Sequence, residues 1–69
     1  MTELPIAPVV RLMKQSGADR ISSDAGAALI ELMEKYAESL TREAGKLASH
    51  AGRKTVTAYD IRMAADLLR

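Results

Sequence analysis

One long helix is the element that most constrains how this chain folds. Between Ser22 and Gly52 the sequence contains no proline, the residue that breaks a helix interior most strongly. Two glycines, Gly26 and Gly45, lie inside this stretch and destabilise a helix by only about 1 kcal/mol each relative to alanine. Ser22 is a suitable N-cap, so the pattern predicts a single helix about 42 Å long.

Two short helices flank the long one. Pro5 and Pro8 are tolerated only in the first turn of a helix and mark the start of the first one. Gly17 is a natural residue just after its end. Thr57 and Asp60 have the spacing of a capping box, with Asp in place of Glu, and begin the last helix. The predicted class is all-α, with short, long and short helices at about residues 5–16, 23–51 and 58–68.

The long helix carries more apolar surface than its short neighbours can cover. Its apolar residues follow two stripes, where a surface helix needs one. The stripes are Ala25, Leu29, Leu32, Tyr36, Leu40 and Leu47, and Ile30, Met33, Ala37, Ala44, Ala48 and Ala51. A three-helix bundle is the monomeric alternative, but its helices are normally similar in length. A second copy crossing antiparallel would cover both stripes, so the pattern favours an intertwined dimer.

Composition excludes most covalent and metal-based chemistry. The chain has 69 residues, no cysteine and one histidine, which excludes disulfides, zinc–cysteine sites and thiol catalysis. We therefore expect no metal and no cofactor. No apolar run approaches the about 20 residues of a transmembrane helix, so we expect no membrane partner and a cytoplasmic protein. We predict a single domain over residues 1–69 without tails, small enough to need a second chain for stability.

The charge of the chain is nearly balanced but unevenly distributed. Ten Lys and Arg stand against nine Asp and Glu, for a net charge of +1, which by itself is not typical of a polyanion binder. The basic residues gather on either side of the long helix, and the glutamates concentrate within it. Glu31, Glu34 and Glu38 can share a helical face, but without a nucleophile, cofactor motif or metal set they indicate a solvated surface. The sequence therefore does not predict an enzyme.

Four segments of the sequence closely resemble the archaeal histones. They are Leu4-Pro5-Ile6-Ala7-Pro8, Gly17-Ala18-Asp19-Arg20-Ile21-Ser22, His50-Ala51-Gly52-Arg53-Lys54-Thr55-Val56 and Ala58-Tyr59-Asp60-Ile61. The resemblance extends over nearly the whole chain, in register with the predicted helices. It implies the histone fold, in which two chains form a head-to-tail handshake dimer, and it implies double-stranded DNA as a partner.

The resemblance also implies which residues contact DNA. Arg20 corresponds to the arginine that enters the minor groove, where the negative potential attracts a guanidinium without sequence readout. Thr55 corresponds to the threonine that orients this arginine. Arg53 and Lys54 correspond to loop residues near the phosphates, and Arg11 to a first-helix arginine that reaches phosphate.

Backbone groups complete the implied DNA-facing surface. In the dimer, Arg20-Ile21 of one chain would pair with Thr55-Val56 of the other as short strands. The start of the first helix, around Pro5–Val9, would offer free N–H groups and the positive end of the helix dipole to phosphate. The dimer would thus present two paired loops and, between them, the paired first helices.

Each DNA assignment has a structural alternative. Without the resemblance, surface cations of this kind are more often solvated, and Thr55 would be an ordinary β-branched residue. Arg53 also resembles the histone-fold arginine that forms a structural ion pair with an aspartate of the third helix, here Asp60. We favour the ion pair for Arg53, and Lys54 and Arg20 as the DNA contacts.

A second implied surface joins one dimer to the next. Leu47, His50, Asp60 and Met63 fall where the family builds a four-helix bundle between dimers, with the histidine of one chain facing the aspartate of another. His50 could instead complement the helix dipole, and the capping box already gives Asp60 a local role. Gly17 corresponds to a glycine that permits close stacking of dimers, and its simpler role is the C-cap.

These observations together predict an archaeal-type histone that binds, wraps and compacts double-stranded DNA without sequence specificity. Binding would come from phosphate neutralisation, counterion release and minor-groove arginines. The predicted partners are duplex DNA, a second copy of the chain and further dimers on DNA, with a histone paralogue as the alternative dimer partner. The predicted location is the archaeal nucleoid. The alternative function is a histone-fold component used mainly for protein assembly in a heterodimeric transcription or chromosomal complex.

Overall fold

Three helices make up the ordered secondary structure of this chain. The computed structural model describes residues 6–69, with α1 at Ile6–Gln15, α2 at Ser23–His50 and α3 at Ala58–Leu67. Within that range no strand occurs, and the predicted all-α order of short, long and short helices is confirmed. Each helix ends one residue earlier than predicted, because the next residue already belongs to a turn. Pro5, where the first helix was predicted to begin, lies outside the described residues.

Glycines in the left-handed conformation end the first two helices. Gly17 has φ +114°, and its N–H donates to the carbonyl of Lys14 at 3.1 Å. The N–H of Ala18 reaches the carbonyl of Met13 at 3.3 Å, which completes a Schellman motif. Gly52, with φ +74°, repeats the same pattern after α2. The prediction that Gly17 caps the first helix is therefore confirmed.

Side-chain caps begin the other two helices. The N–H of Ala25 donates to Ser22 Oγ at 3.3 Å, as an N-cap requires. The hydroxyl of Ser22 also donates to Asp24, and this hydrogen bond holds the pKa of the Asp24 carboxyl below its ordinary value. At α3, Thr57 and Asp60 form the complete capping box, each side chain accepting from the other residue's backbone N–H. Its prediction from sequence is confirmed.

Two units divide the chain, Met1–Lys35 and Tyr36–Arg69, and the boundary lies inside α2. In the first unit, α1 approaches the start of α2 closely at Gly26, which is buried. A Cβ atom added to Gly26 would lie 3.2 Å from Val10 Cγ2 and 3.9 Å from Ile6 Cγ2. The interior glycine that sequence reasoning treated only as a helix defect therefore has a packing role.

Two alanine substitutions in α2 should differ in their effect on stability. Gly45 has no atom within 4 Å of an added Cβ, so Gly45→Ala should raise the free energy of unfolding by about 1 kcal/mol through helix propensity. Gly26→Ala should lack this gain, because Val10 must move and overpacking opposes it by about 1–3 kcal/mol. Urea unfolding of both variants checks this, and Val10→Ala should relieve the crowding in a double variant. Equal gains in both variants would show that α1 does not pack closely at Gly26.

Small residues dominate the buried positions. In the second unit the buried residues are Ala44 and Ala48 on α2, and Asp60 and Ala64 on α3. In the first unit Val9 and Ile30 are the buried large apolar side chains among the described residues. Many large apolar side chains are left at the surface: Ile6, Leu12, Leu32, Tyr36, Val56, Tyr59, Met63, Leu67 and Leu68. Across residues 6–69, no helix has the length and apolarity needed to cross a bilayer.

Candidate nucleic-acid interface

The loop between α2 and α3 is fastened to the buried carboxylate of Asp60. Asp60 is 1% exposed. Its Oδ1 accepts from Arg53 Nη2 at 2.8 Å, and its Oδ2 accepts from Arg53 Nη1 at 2.9 Å. Oδ2 also accepts from the N–H of Thr57 at 2.9 Å and from its hydroxyl at 3.0 Å. These four hydrogen bonds tie both ends of the loop to the first turn of α3.

Arg53 also holds the backbone of the loop from inside. Its Nη1 donates to the carbonyl of Thr55 at 3.0 Å, in addition to the bidentate pair with Asp60. One planar guanidinium thus spans two residues of the loop and the start of α3, which a lysine at this position could not do. Sequence reasoning missed the bond to Thr55, because its acceptor is a backbone carbonyl that leaves no trace in the residue pattern.

This network keeps both of its charged groups ionised. The hydrogen bonds from Arg53, followed by the N–H of Thr57, hold the pKa of the Asp60 carboxyl far below its ordinary value, although burial acts in the opposite direction. The bond to Asp60 in turn raises the pKa of Arg53. A buried charge is tolerated only when it is paired and hydrogen-bonded, and no buried side-chain N or O atom in the described residues lacks a partner.

Lys54 and Thr55 lie at the surface of this fastened loop. Both residues are exposed, while their neighbour Arg53 is turned inward and bound to Asp60. In the described part of the chain, Lys54 forms neither a hydrogen bond nor an ion pair. The loop therefore presents a solvent-facing ammonium on a backbone that is held in place.

Arg11 and Arg20 belong to the first unit. Arg11 is exposed on α1, and Arg20 is exposed in the loop between α1 and α2. Among residues 6–69, neither guanidinium has an ion pair or a side-chain hydrogen bond. Both are therefore available to an anionic ligand, in contrast to Arg53.

The residues expected to join dimers occupy α2 and α3. Leu47 is half-buried, His50 is the exposed last residue of α2, and Met63 is 36% exposed. No hydrogen bond links His50 to Asp60 within residues 6–69. A bond from His50 of another chain would have to use Asp60 Oδ1, which accepts one hydrogen bond, because Oδ2 already accepts three. Gly17 is exposed in the turn that ends α1.

Nothing in the described residues points to a metal centre. No group of three or more His, Cys, Asp or Glu side chains within residues 6–69 is arranged to hold an ion. The expected absence of a metal site remains a prediction for the chain as a whole.

Comparison with known proteins gives the family. The family described as histone-like transcription factor (CBF/NF-Y) and archaeal histone matches residues 2–65. One of the two subunits that bear the name archaeal histone HAN1, from Thermococcus zilligii, is 53% identical over 64 residues, covering 93% of this chain and 96% of the relative. Probable archaeal histone 3 of Methanocaldococcus jannaschii is 45% identical over the same proportions. The chain therefore belongs to the histone-fold family of archaeal histones, which are dimerising, DNA-binding chromatin proteins and not enzymes.

Proposed function

We propose that this protein wraps and compacts double-stranded DNA without sequence specificity, as a homodimer in the archaeal nucleoid. The observation that carries the proposal is the division of labour among its arginines and lysines. Arg53 is consumed by Asp60, whereas Arg20 and Lys54, one in each interhelical loop, are exposed and have no partner among the described residues. Cations held on ordered loops and left unpaired suit a phosphate backbone, which binds by charge rather than by base sequence.

The exposed apolar surface supports dimerisation. Leu32 is 62% exposed and Tyr36 is 52% exposed in the middle of α2, where a soluble helix would normally be polar. A 69-residue chain buries a small share of its surface and gains most from a second chain. The proposed handshake dimer would cover the α2 stripes and would place Arg20 of one chain beside Lys54 and Thr55 of the other.

The proposed contacts on DNA follow from this pairing. Arg20 would enter the minor groove, oriented by Thr55 of the other chain, and Lys54 would neutralise phosphate at the edge of the same site. Arg11 would reach phosphate from α1. We give Arg53 an indirect role, because its guanidinium already binds Asp60 and the carbonyl of Thr55.

Higher assembly would use the surface formed by Leu47, His50, Asp60 and Met63, with Gly17 allowing dimers to stack along the DNA. The relative from Thermococcus zilligii is by its name one component of a larger protein, so a histone paralogue is a second candidate for the dimer partner. Both named relatives are archaeal histones, which does not favour a role confined to protein assembly.

Nuclease digestion of random-sequence duplex DNA, bound at two salt concentrations, tests the proposed function. The purified chain should protect a ladder of regularly spaced fragments, and protection should weaken steeply as salt rises, because counterions compete for the phosphates. Sedimentation of the free protein should show a dimer. A folded chain that forms a dimer only with a paralogue, or that protects no DNA, would instead support the protein-assembly function.

His50→Ala should shorten the longest protected fragments and leave the dimer intact. If His50 bonds Asp60 across dimers, its loss removes a contact between dimers but none within one. The chain offers Ser49→Ala as a control, an exposed neighbour on α2. Fragment lengths from the same digestion provide the measurement, and an unchanged ladder for His50→Ala would remove His50 from the proposed interface.

A further inference from the structure

The outer face of α3 is the most apolar surface that the proposed DNA contacts and handshake leave unused. Tyr59 is 67% exposed, Met63 36% and Leu67 58%. Their spacing of four residues places them along one row of the helix. The buried residues of α3, Asp60 and Ala64, lie on a different side. This row, Tyr59–Met63–Leu67, is called the α3 row below.

Two opposite charges accompany the α3 row. Arg62 and Asp66 are exposed and occupy the neighbouring row of the helix, each one position before a member of the α3 row. Arg62 has no ion pair or hydrogen bond with any residue from 6 to 69. Asp66 approaches only Arg69, at 4.0 Å, the weak limit of an ion pair between exposed groups. The outer face is therefore half apolar and half charged, with both signs present.

The pattern of this face is complementary to itself. When two α3 helices run antiparallel about a twofold axis at Met63, Tyr59 and Leu67 lie four residues to either side, so each tyrosine faces a leucine of the second copy. The midpoint of Arg62 and Asp66 falls at residue 64, about 1.5 Å along the helix from Met63. Each arginine then faces the aspartate of the second copy. A twofold contact requires this kind of reciprocal match.

We propose that the α3 row pairs antiparallel with the same row of a second copy, with Arg62 and Asp66 forming two reciprocal ion pairs beside it. The inference rests on the proposed function, since it takes the handshake dimer as the unit being joined. It extends the surface between dimers from Met63 to Tyr59, Arg62, Asp66 and Leu67, and it states how the copies are oriented.

The size of the α3 row indicates what kind of contact it makes. Its exposed apolar area is roughly 300 Å² per copy, against about 800 Å² per partner in a stable interface of standard size. The row alone is too small to hold free chains together. It suits a reversible contact between dimers, where continuity with Leu47 and His50 on α2 adds area.

A charge-exchange experiment on the full chain tests this pairing without DNA. Sedimentation measures the dimer–tetramer equilibrium of the unmodified protein, of Arg62→Asp, of Asp66→Arg and of an equimolar mixture of the two variants. Each variant alone places like charges opposite each other and should weaken tetramer formation by about tenfold or more. The mixture restores opposite charges at both positions and should recover the unmodified equilibrium. Tyr59→Ala should weaken it in every background.

The mixture separates the proposed contact from any effect on helix stability. Each variant loses the same Arg62–Asp66 neighbour pair within its own helix, and mixing cannot restore that pair. A mixture as weak as the single variants would overturn the proposal, as would an unmodified protein that forms no tetramer at millimolar concentration or a variant whose dimer itself dissociates. Nuclease protection by the same samples reports on the proposed function separately, so a protein that protects DNA as dimers and fails the exchange loses only this inference.

Discussion

Asp60→Asn is expected to lower the melting temperature by more than about 10 °C. Asparagine presents an NH₂ group where one carboxylate oxygen stood, and that group would face the Arg53 guanidinium or the N–H of Thr57, which are themselves donors. Removing one partner of a buried ion pair leaves the other charge uncompensated and is among the most destabilising single changes. In a domain of this size each kcal/mol lost moves the melting temperature by about 4–8 °C.

Circular dichroism against temperature, at fixed protein concentration, measures this effect. Concentration must be held constant because dimerisation contributes to the apparent stability. Asp66→Asn is the matched control, since it removes the same charge from the same helix at an exposed position whose ion pair with Arg69 spans 4.0 Å. It should change the melting temperature by only a few degrees. Comparable losses in both variants would show that net charge, rather than the loop network, sets stability.

The same network predicts how stability depends on pH. The pKa of Asp60 is lower in the folded chain than in the unfolded one, where a free aspartate titrates near pH 4. The folded state therefore binds fewer protons at this site, and its stabilisation is fully present above about pH 5. It is lost progressively as the pH falls below about 4, towards the folded pKa. Asp60→Asn should flatten this acid limb of the stability curve, and a limb that stays as steep would assign it to other carboxylates.

Local sequence rules predicted the helices well because each boundary has a short-range cause. Gly17 and Gly52 adopt positive φ values that few other residues tolerate, and Thr57 with Asp60 forms a box that is readable from spacing alone. No proline interrupts α2. These signals act within five residues, so they survive without any knowledge of the tertiary structure.

The packing and the loop network needed coordinates. Gly26 lies in a helix interior, where propensity records only a penalty, and its contact with Val10 comes from another helix. The resemblance to archaeal histones suggested Arg53 and Asp60 as an ion pair, and the structure shows its bidentate geometry. The hold of Arg53 on the carbonyl of Thr55 depends on loop conformation. The roles of Arg20, Lys54 and His50 towards other molecules remain predictions, since they depend on groups outside this chain.

A near-neutral net charge does not weaken the proposed DNA contacts in proportion. The chain carries a net charge of +1, but screening limits the effect of a distant charge to about 8–10 Å in physiological salt. A phosphate near Arg20 therefore responds mainly to the cations around it and little to the glutamates of central α2. Local cations such as Arg20, rather than the total charge, should set the affinity for duplex DNA.

Arg20→Ala tests this argument, and it should weaken binding to random-sequence duplex DNA by about 10–100-fold at low salt. A dimer loses two guanidinium groups, so the slope of log affinity against log salt should become shallower by about 2. Arg42→Ala is the matched control, because it removes the same charge from an exposed position on α2. It should change affinity by less than about threefold at moderate salt. Titration by fluorescence anisotropy at several salt concentrations measures both quantities. Equal losses from the two variants would mean that DNA responds to overall charge, and an unchanged slope for Arg20→Ala would place the DNA-facing surface elsewhere.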